Sequence, residues 1–450
     1  MFAPAIHIAR RRALLATLQR QGAGGLVLLP GHVDSPMNYR DNAYPFRQDS
    51  SFLYYAGLSQ PDLALAIDID TGAEALFADD ADVDHEVWTG PLPRAALAER
   101  IAEARSQGRR IHLLPPARAE TRLALAALLG VPPQAVEAQV SAPLLQAVVA
   151  QRAVKAPEEI DEMESALAVT RDMHLLALQR SRPGVVEQEV VGAMEGLALA
   201  RGMRMAYSPI FSSRGEILHN HDHGVRLQAG DMVVNDSGAE SLRGYASDIT
   251  RTIPVGGRFQ GLKAELYDLV LGAQLQAIAA VRPGTPYVEI HRLACGVMVA
   301  GLKDLGFMRG DPAEAVEAGA HAIFFPCGTG HMIGLDVHDM EGLGEDAVGY
   351  GDGFERDPRF GYKSLRLARP LRAGWVVTIE PGIYVNPLLT RRWAAERRHE
   401  AFIDYAMFER HERLGGIRIE DDVLVTDGGH RVLGVPIPKA RAEVEALARA

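Results

Sequence analysis

Cysteine is almost absent: the 450 residues hold two, Cys295 and Cys327, and no Cys-x-x-Cys pair. That excludes a disulfide framework and a paired-cysteine metal site, and makes a reducing, cytoplasmic compartment the expectation. Long apolar runs are missing as well. No window approaches the roughly 18 uninterrupted apolar residues that a membrane-spanning helix needs. The opening string MFAPAIHIARRRALLATLQRQGAGGLVLLPG sets basic residues ahead of apolar ones, as a secretory signal does. Gln19, Arg20 and Gln21 nevertheless cut its apolar run, and no small-residue cleavage site follows. An amphipathic helix leading into a buried strand, GGLVLLPG, is the expected structure there. Excess positive charge is the third absence, since 47 Lys and Arg face 58 Asp and Glu for a net charge of -11. Nucleic acid and anionic membrane both require a basic footprint, so neither is an expected partner.

What is present is the balance of a globular protein, 47% apolar and 23% charged. At 450 residues the chain exceeds one ordinary core, which predicts two domains. Residues 1–150 alternate short apolar segments, GGLVLLPG, SFLYYAGL, LALAIDID and EALFADD, with the helical AALAERIAEARSQG before RRIHLLP. The alternation predicts a small α/β domain with these segments as strands. Residues 151–450 read differently. Pro157 followed by Glu158 and Glu159 is a helix start, because proline suits the first turn and acids suit the positive end of the helix dipole. Helices are predicted from Pro157 to about Gln179, and near 186–201, 262–281 and 287–306. Both pairs are split by Arg-Pro-Gly, at 182–184 and 282–284. The recurrence of helix, Arg-Pro-Gly, helix and strands predicts an internal duplication. Segment 341–372, rich in glycine and polar residues, reads as a long loop near a site.

Five side chains sit in distinctive strings spread over the second domain. They are Asp236 in VVNDSGAE, Asp248 in YASDITRT, His331 in GTGHMIGLDVHD, Glu380 in TIEPGIY and Glu420 in GGIRIEDD. Singly, each has a plain structural explanation: a turn or cap for the aspartates, a salt bridge to Arg418 or Arg366 for the glutamates, a satisfied core position for the histidine. An unpaired carboxylate in an apolar strand is costly, however, and a metal is one remedy. Four carboxylates and an imidazole form a hard, oxygen-rich donor set that suits a pair of Mn²⁺-like ions. The reaction class this predicts is metal-assisted hydrolysis. His219, His221 and His223 in ILHNHDHG could be no more than a His-rich turn.

Together these strings resemble the aminopeptidase P and prolidase family of pita-bread-fold dinuclear metallopeptidases, which act on Xaa-Pro bonds. The resemblance covers nearly the whole chain, and RRRALLATL and YPFRQDSSFLYYAGLSQPD are similar to that family's N-terminal domain. It implies an α/β N-terminal domain and an α+β pita-bread catalytic domain with pseudo-twofold duplication. It further implies two divalent ions, Mn²⁺ with Co²⁺ or Zn²⁺ as alternatives. Asp236 would bind one ion, His331 and Glu380 the other, with Asp248 and Glu420 bridging. Glu380 would also handle the proton. His219 and His338 would contact the scissile carbonyl and substrate backbone, Arg418 would stand near the proline subsite, and Tyr384 would support the site. Arg366 resembles the arginine that holds a dipeptide carboxylate in prolidases. Asp41 and Trp88 resemble residues that one subunit presents to its neighbour's site, implying a homo-oligomer, dimer or tetramer, acting on proline-containing peptides. The interval from Asp236 to Asp248 is one residue longer than the commonest family form, and segments 341–372 and 386–414 are longer than in compact aminopeptidase P. The expected activity is release of the N-terminal residue before proline. The alternatives are an Xaa-Pro dipeptidase and, more distantly, a binding or chaperone protein on the same fold, which loses metal ligands.

Overall fold

The computed structural model describes residues 2–78 and 97–449. It forms two compact units, one of Met1–Arg152 with Met340–Val348, the other of Ala153–Asp339 with Gly349–Ala450.

The first unit is a mixed sheet with helices. Strands β1 (Leu26–Pro30), β2 (Leu63–Asp68), β3 (Glu74–Ala78) and β4 (Ile111–His112) lie in the order β3-β2-β1-β4. β1 runs antiparallel to β2 and parallel to β4. Leu26, Leu28, Ala64 and Ala66 bury against Ile101 and Leu125 of flanking helices, so the near-continuous apolar runs of β1 and β2 are explained by cover on the sheet. One expectation fails here. SFLYYAGL is not a strand: Ser50–Ala56 is a helix. The Asp49 carboxylate accepts the Phe52 N–H at 2.8 Å, and Gly57 closes the end with φ of 72°. A local cap and a left-handed stop decide a run whose apolar content suits either state.

The second unit repeats one plan. Helices α1 (Pro157–Arg180) and α2 (Glu187–Ala200) precede the sheet β6-β7-β9, with β6 (Ile210–Ser212), β7 (Met232–Asp236) and β9 (Thr250–Pro254). The short pair β5 (Arg204–Met205) and β8 (Ala239–Glu240) lies beside it. Helices α3 (Leu262–Ala279) and α4 (Tyr287–Asp304) then precede β10 (Val376–Ile379), β11 (Gly382–Tyr384), β12 (Gly416–Arg418), β13 (Asp421–Thr426) and β14 (Gly429–Val432). Each Arg-Pro-Gly breaker does the same job. Gly184 and Gly284 both have positive φ, and their N–H groups donate to Leu227 and Leu371 carbonyls at 2.9 and 2.8 Å. α1 starts as its sequence predicts, with Pro157 in the first turn and the Glu159 carboxylate accepting the Ala156 N–H at 2.9 Å. Phe211, Val233 and Ile253 of the first half and Ile383, Ile417 and Ile419 of the second join Met173, Met194, Val270 and Met298 in one apolar core. This is the pita-bread arrangement expected of residues 151–450. Segment 341–372 is less loop-like than its composition predicts, with a helix at Glu345–Gly349 and a 3-10 turn at Tyr362–Ser364.

Candidate metal centre

Two antiparallel hairpins, one from each half, carry the four acids. In the first, Asp236 pairs with Thr250, and the same register continues to a bridge between Glu240 and Ala246 before the turn. That register sets Asp248 opposite Gly238, so Asp236, Asp248 and Thr250 share one face of the ribbon. The neighbours point the other way: the Asn235 side chain lies 3.2 Å from His174 Nδ1, and Arg251 donates to Asp421 Oδ1 at 2.7 Å. The extra residue between the two aspartates falls in the turn and leaves the register unchanged.

In the second hairpin, Ile379 pairs with Asp421 and Gly382 with Arg418. The same register sets Glu380 opposite Glu420, at a gap where Pro381 has no N–H to donate. Freed from the ladder, the Glu420 N–H donates to Thr250 O at 3.1 Å and the Glu380 N–H to Thr329 O at 2.8 Å. The acids therefore stand at breaks in the ladder and not in strand interiors, as their strings had suggested.

His331 arrives on an irregular segment lying along β10. Its N–H donates to Thr378 Oγ1 at 3.1 Å, and Met332 bridges Val377. Gly330 permits the approach, for a Cβ there would stand 2.1 Å from Thr378 O. His331 Nδ1 lies 3.0 Å from the Met332 carbonyl. A carbonyl only accepts, so Nδ1 carries the proton and Nε2 keeps its lone pair for a ligand. That Nε2 is 3.4 Å from Asp248 Oδ2 and 3.7 Å from Glu380 Oε1. Donor atoms of Asp248, His331 and Glu420 all lie within 4.8 Å of one another.

A cavity of about 590 Å³ gathers Asp236, Asp248, His331, Glu380 and Glu420 with His219, His338, Arg366 and Arg418. Arg418, 4% exposed, donates to Asp236 Oδ2, to Tyr384 Oη at 2.8 Å and to Thr250 Oγ1 at 3.0 Å. Thr250 in turn donates to Glu420 Oε2 at 2.7 Å. Tyr384 is buried behind this network and lines an adjoining hollow of about 350 Å³ with Leu218, Asn386 and Leu389. The His331 and His338 ring centroids are 4.2 Å apart. Asp41 is an exposed residue of the N-terminal unit, and Trp88 lies outside the described residues.

Several cavity residues had not been singled out from sequence. The Tyr207 hydroxyl bonds Asp236 Oδ1 at 2.6 Å and also Asp248 Oδ1, and nothing in AYSPIF marks it. His221 lines the cavity while His223 turns away to the Phe211 carbonyl at 3.1 Å, so one member of the His-rich turn does face the site.

The donor set fits divalent cations. Four carboxylates share the cavity with two guanidinium groups, those of Arg366 and Arg418. Burial, reinforced by the neighbouring Asp236, pushes Asp248 up to about 8. Burial likewise raises Glu380 to about 7 and Glu420 well above the carboxylate range, Asp248 adding to both. The Tyr207 hydroxyl has one proton to give and two carboxylates to give it to. A cluster that would otherwise hold protons near neutral pH is one that cations relieve.

The profile of the family described as Metallopeptidase family M24 matches residues 161–427, and that described as Aminopeptidase P, N-terminal domain, matches residues 7–108. A probable Xaa-Pro aminopeptidase of Aspergillus fumigatus is 33% identical over 470 aligned positions, covering 99% of this chain and 97% of the relative. Among solved structures, zinc-substituted aminopeptidase P of E. coli in complex with product superposes with a TM-score of 0.78 at 28% identity, covering 100% of this chain and 98% of that one. Proline aminopeptidase P II from Yersinia pestis gives 0.79 at 28% identity with 100% of both chains covered. No helix among the described residues is long and apolar enough to cross a membrane.

Proposed function

The chain belongs to metallopeptidase family M24 and acts as a metal-dependent Xaa-Pro aminopeptidase, and from that premise we propose how its residues divide the work. The observation that carries the reading is the convergence of four carboxylates and the His331 imidazole on one cavity. Asp236, Asp248, His331, Glu380 and Glu420 would hold two ions, Asp236 serving one, His331 and Glu380 the other, and Asp248 and Glu420 both. When bound, two divalent ions, Mn²⁺ in this reading with Co²⁺ or Zn²⁺ as alternatives, supply Lewis acidity to the scissile carbonyl and acidify the attacking water.

The protein's own groups do the rest. Glu380 takes the proton from water and hands it to the proline nitrogen as the bond breaks. That nitrogen belongs to a tertiary amide with no N–H of its own, so the delivered proton is what makes it a leaving group. His219 and His338 donate to the developing oxyanion and the peptide backbone. Arg418 keeps Asp236 and Tyr384 in place and stands near the proline subsite, with Tyr384 supporting it from behind.

Substrate length turns on Arg366, which lines the cavity beside Ser364. The match to the aminopeptidase P N-terminal domain favours tripeptides and longer chains. A second reading, a dipeptidase, rests on Arg366 binding the free carboxylate of a dipeptide through a charge-assisted pair. In the first reading kcat/KM for Ala-Pro-Ala exceeds that for Ala-Pro in the manganese-loaded enzyme. A dipeptide preference that Arg366→Ala reverses would make this enzyme a prolidase.

We further read the protein as a cytoplasmic homo-oligomer, dimer or tetramer, in which Asp41 and Trp88 complete a neighbouring subunit's site. Light scattering should give a mass above one chain. Asp41→Ala should then raise KM for tripeptides without loss of metal, and a monomer with full activity would end this reading.

A further inference from the structure

A second cluster of metal-binding atoms lies apart from the carboxylate cavity. His291 and Cys295 stand one turn apart on α4, and His321 comes from the 3-10 turn Ala320–Ile323. All three are 0% exposed, and their donor atoms lie within 4.8 Å of one another. Cys295 Sγ is 3.6 Å from His291 Nε2. Zinc bonds of about 2.3 Å to sulfur and 2.0–2.1 Å to nitrogen place neighbouring donors of a tetrahedral sphere roughly 3.5 Å apart.

The surroundings are those of a ligand site. His291 Nδ1 lies 2.9 Å from Thr329 Oγ1, the outer-shell hydrogen bond that holds a ligating imidazole and turns Nε2 inward. Tyr362 packs edge-on to His321 with centroids 5.0 Å apart, and Phe325 lies 5.8 Å from His291, so the wall is aromatic and dry. An S–H donated from Cys295 to His291 would explain that pair without an ion. It leaves His321 unexplained. Neither of its ring nitrogens makes a well-formed hydrogen bond among the described residues; the Val316 carbonyl is the one backbone group close enough to interact with the ring, which leaves at least one nitrogen without a partner. The Val316 carbonyl bonds the Tyr362 hydroxyl at 2.9 Å. A buried polar group without a partner is costly, and an ion between His321 and the other two would satisfy it.

We propose that His291, Cys295 and His321 form a second metal site of soft, zinc-binding character, structural in role. It ties α4 to the segment that runs on through Thr329 to His331. Full burial means that the ion enters as the chain folds. The carboxylate cavity selects hard ions; this cluster selects a soft one.

Cobalt tests the proposal, because the five acid and imidazole ligands of the catalytic cavity include no sulfur. The full-length chain produced in cobalt-supplemented medium should show a near-ultraviolet sulfur-to-cobalt charge-transfer band. Cys295→Ser should lose the band and one metal ion per chain. Cys327→Ser, which alters the thiol lining the carboxylate cavity, should keep both. Absence of the band in the cobalt-loaded wild type, or its persistence in Cys295→Ser, overturns the site. Should Cys295→Ser fail to fold, X-ray absorption on the zinc-loaded wild type decides. A sulfur neighbour at about 2.3 Å supports the site, and a sphere of nitrogen and oxygen alone refutes it.

Discussion

Glu420→Ala is expected to abolish peptide hydrolysis and to lower bound metal from two ions per chain to one or none. The glutamate's backbone is held independently of its carboxylate. Its N–H donates to Thr250 O at 3.1 Å, and its carbonyl accepts from Arg251 Nη1 at 2.6 Å. Truncation therefore removes a donor and leaves the strand where it was. The loss should far exceed the roughly 10- to 100-fold that removal of an outer-shell partner costs. Glu420→Gln sharpens the test, since it keeps the size and the oxygen that accepts from Thr250 but loses the charge. Metal should fall with it too. The metal-free Gln variant should melt no lower than metal-free wild type, because a neutral amide replaces a carboxyl that burial and its acidic neighbours already hold toward the protonated form. Elemental analysis with paired thermal melts reads all three results. Two ions per chain and normal turnover in either variant would remove Glu420 from the ligand set.

His338→Ala and His219→Ala are expected to behave in the opposite way, keeping both ions and losing on the order of 10²–10³ in kcat. Both rings line the cavity without belonging to the five-ligand set. Burial first, and the Arg418 charge next, hold His219 below the usual imidazole value. It is therefore neutral at pH 7 and offers one N–H to an oxyanion without competing for the ions. A fall in metal content in either variant would show that ligand and oxyanion donor had been confused. Steady-state kinetics on Ala-Pro-Ala beside metal analysis separates the two.

The five strings whose side chains meet in one cavity were legible because each sets an acid or an imidazole against an apolar background, where composition alone calls for an explanation. The α1 start was legible for a similar reason, since Pro157 and Glu159 act within one turn. What could not be read is long-range. The facing of Glu380 and Glu420 depends on a register set by residues on both flanks, and Tyr207 reaches Asp236 and Asp248 from a segment with no pattern of its own. SFLYYAGL misled because a short apolar run suits helix and strand alike, and the cap that decides it, Asp49, lies outside the run. The His291 and Cys295 spacing was visible on a predicted helix, but His321 joins it only through the fold.

The second hairpin has a bearing on how such an enzyme can change. Its register runs from Val376 opposite Leu424 to Tyr384 opposite Gly416, and the neck is closed by the Val385 N–H on Gly415 O at 3.0 Å. Residues 386–414 lie beyond that closure, anchored separately by Trp393, Ile403 and Phe408 in the core and by the Met308–Ile403 bridge. Residues can be gained or lost there in descent without sliding Glu380 past Glu420. Asn386, Leu388, Leu389 and Arg392 from this same segment wall the hollow next to the site. New peptide preferences can thus be tried at the far end of the ribbon while the chemistry is inherited intact from its closed end.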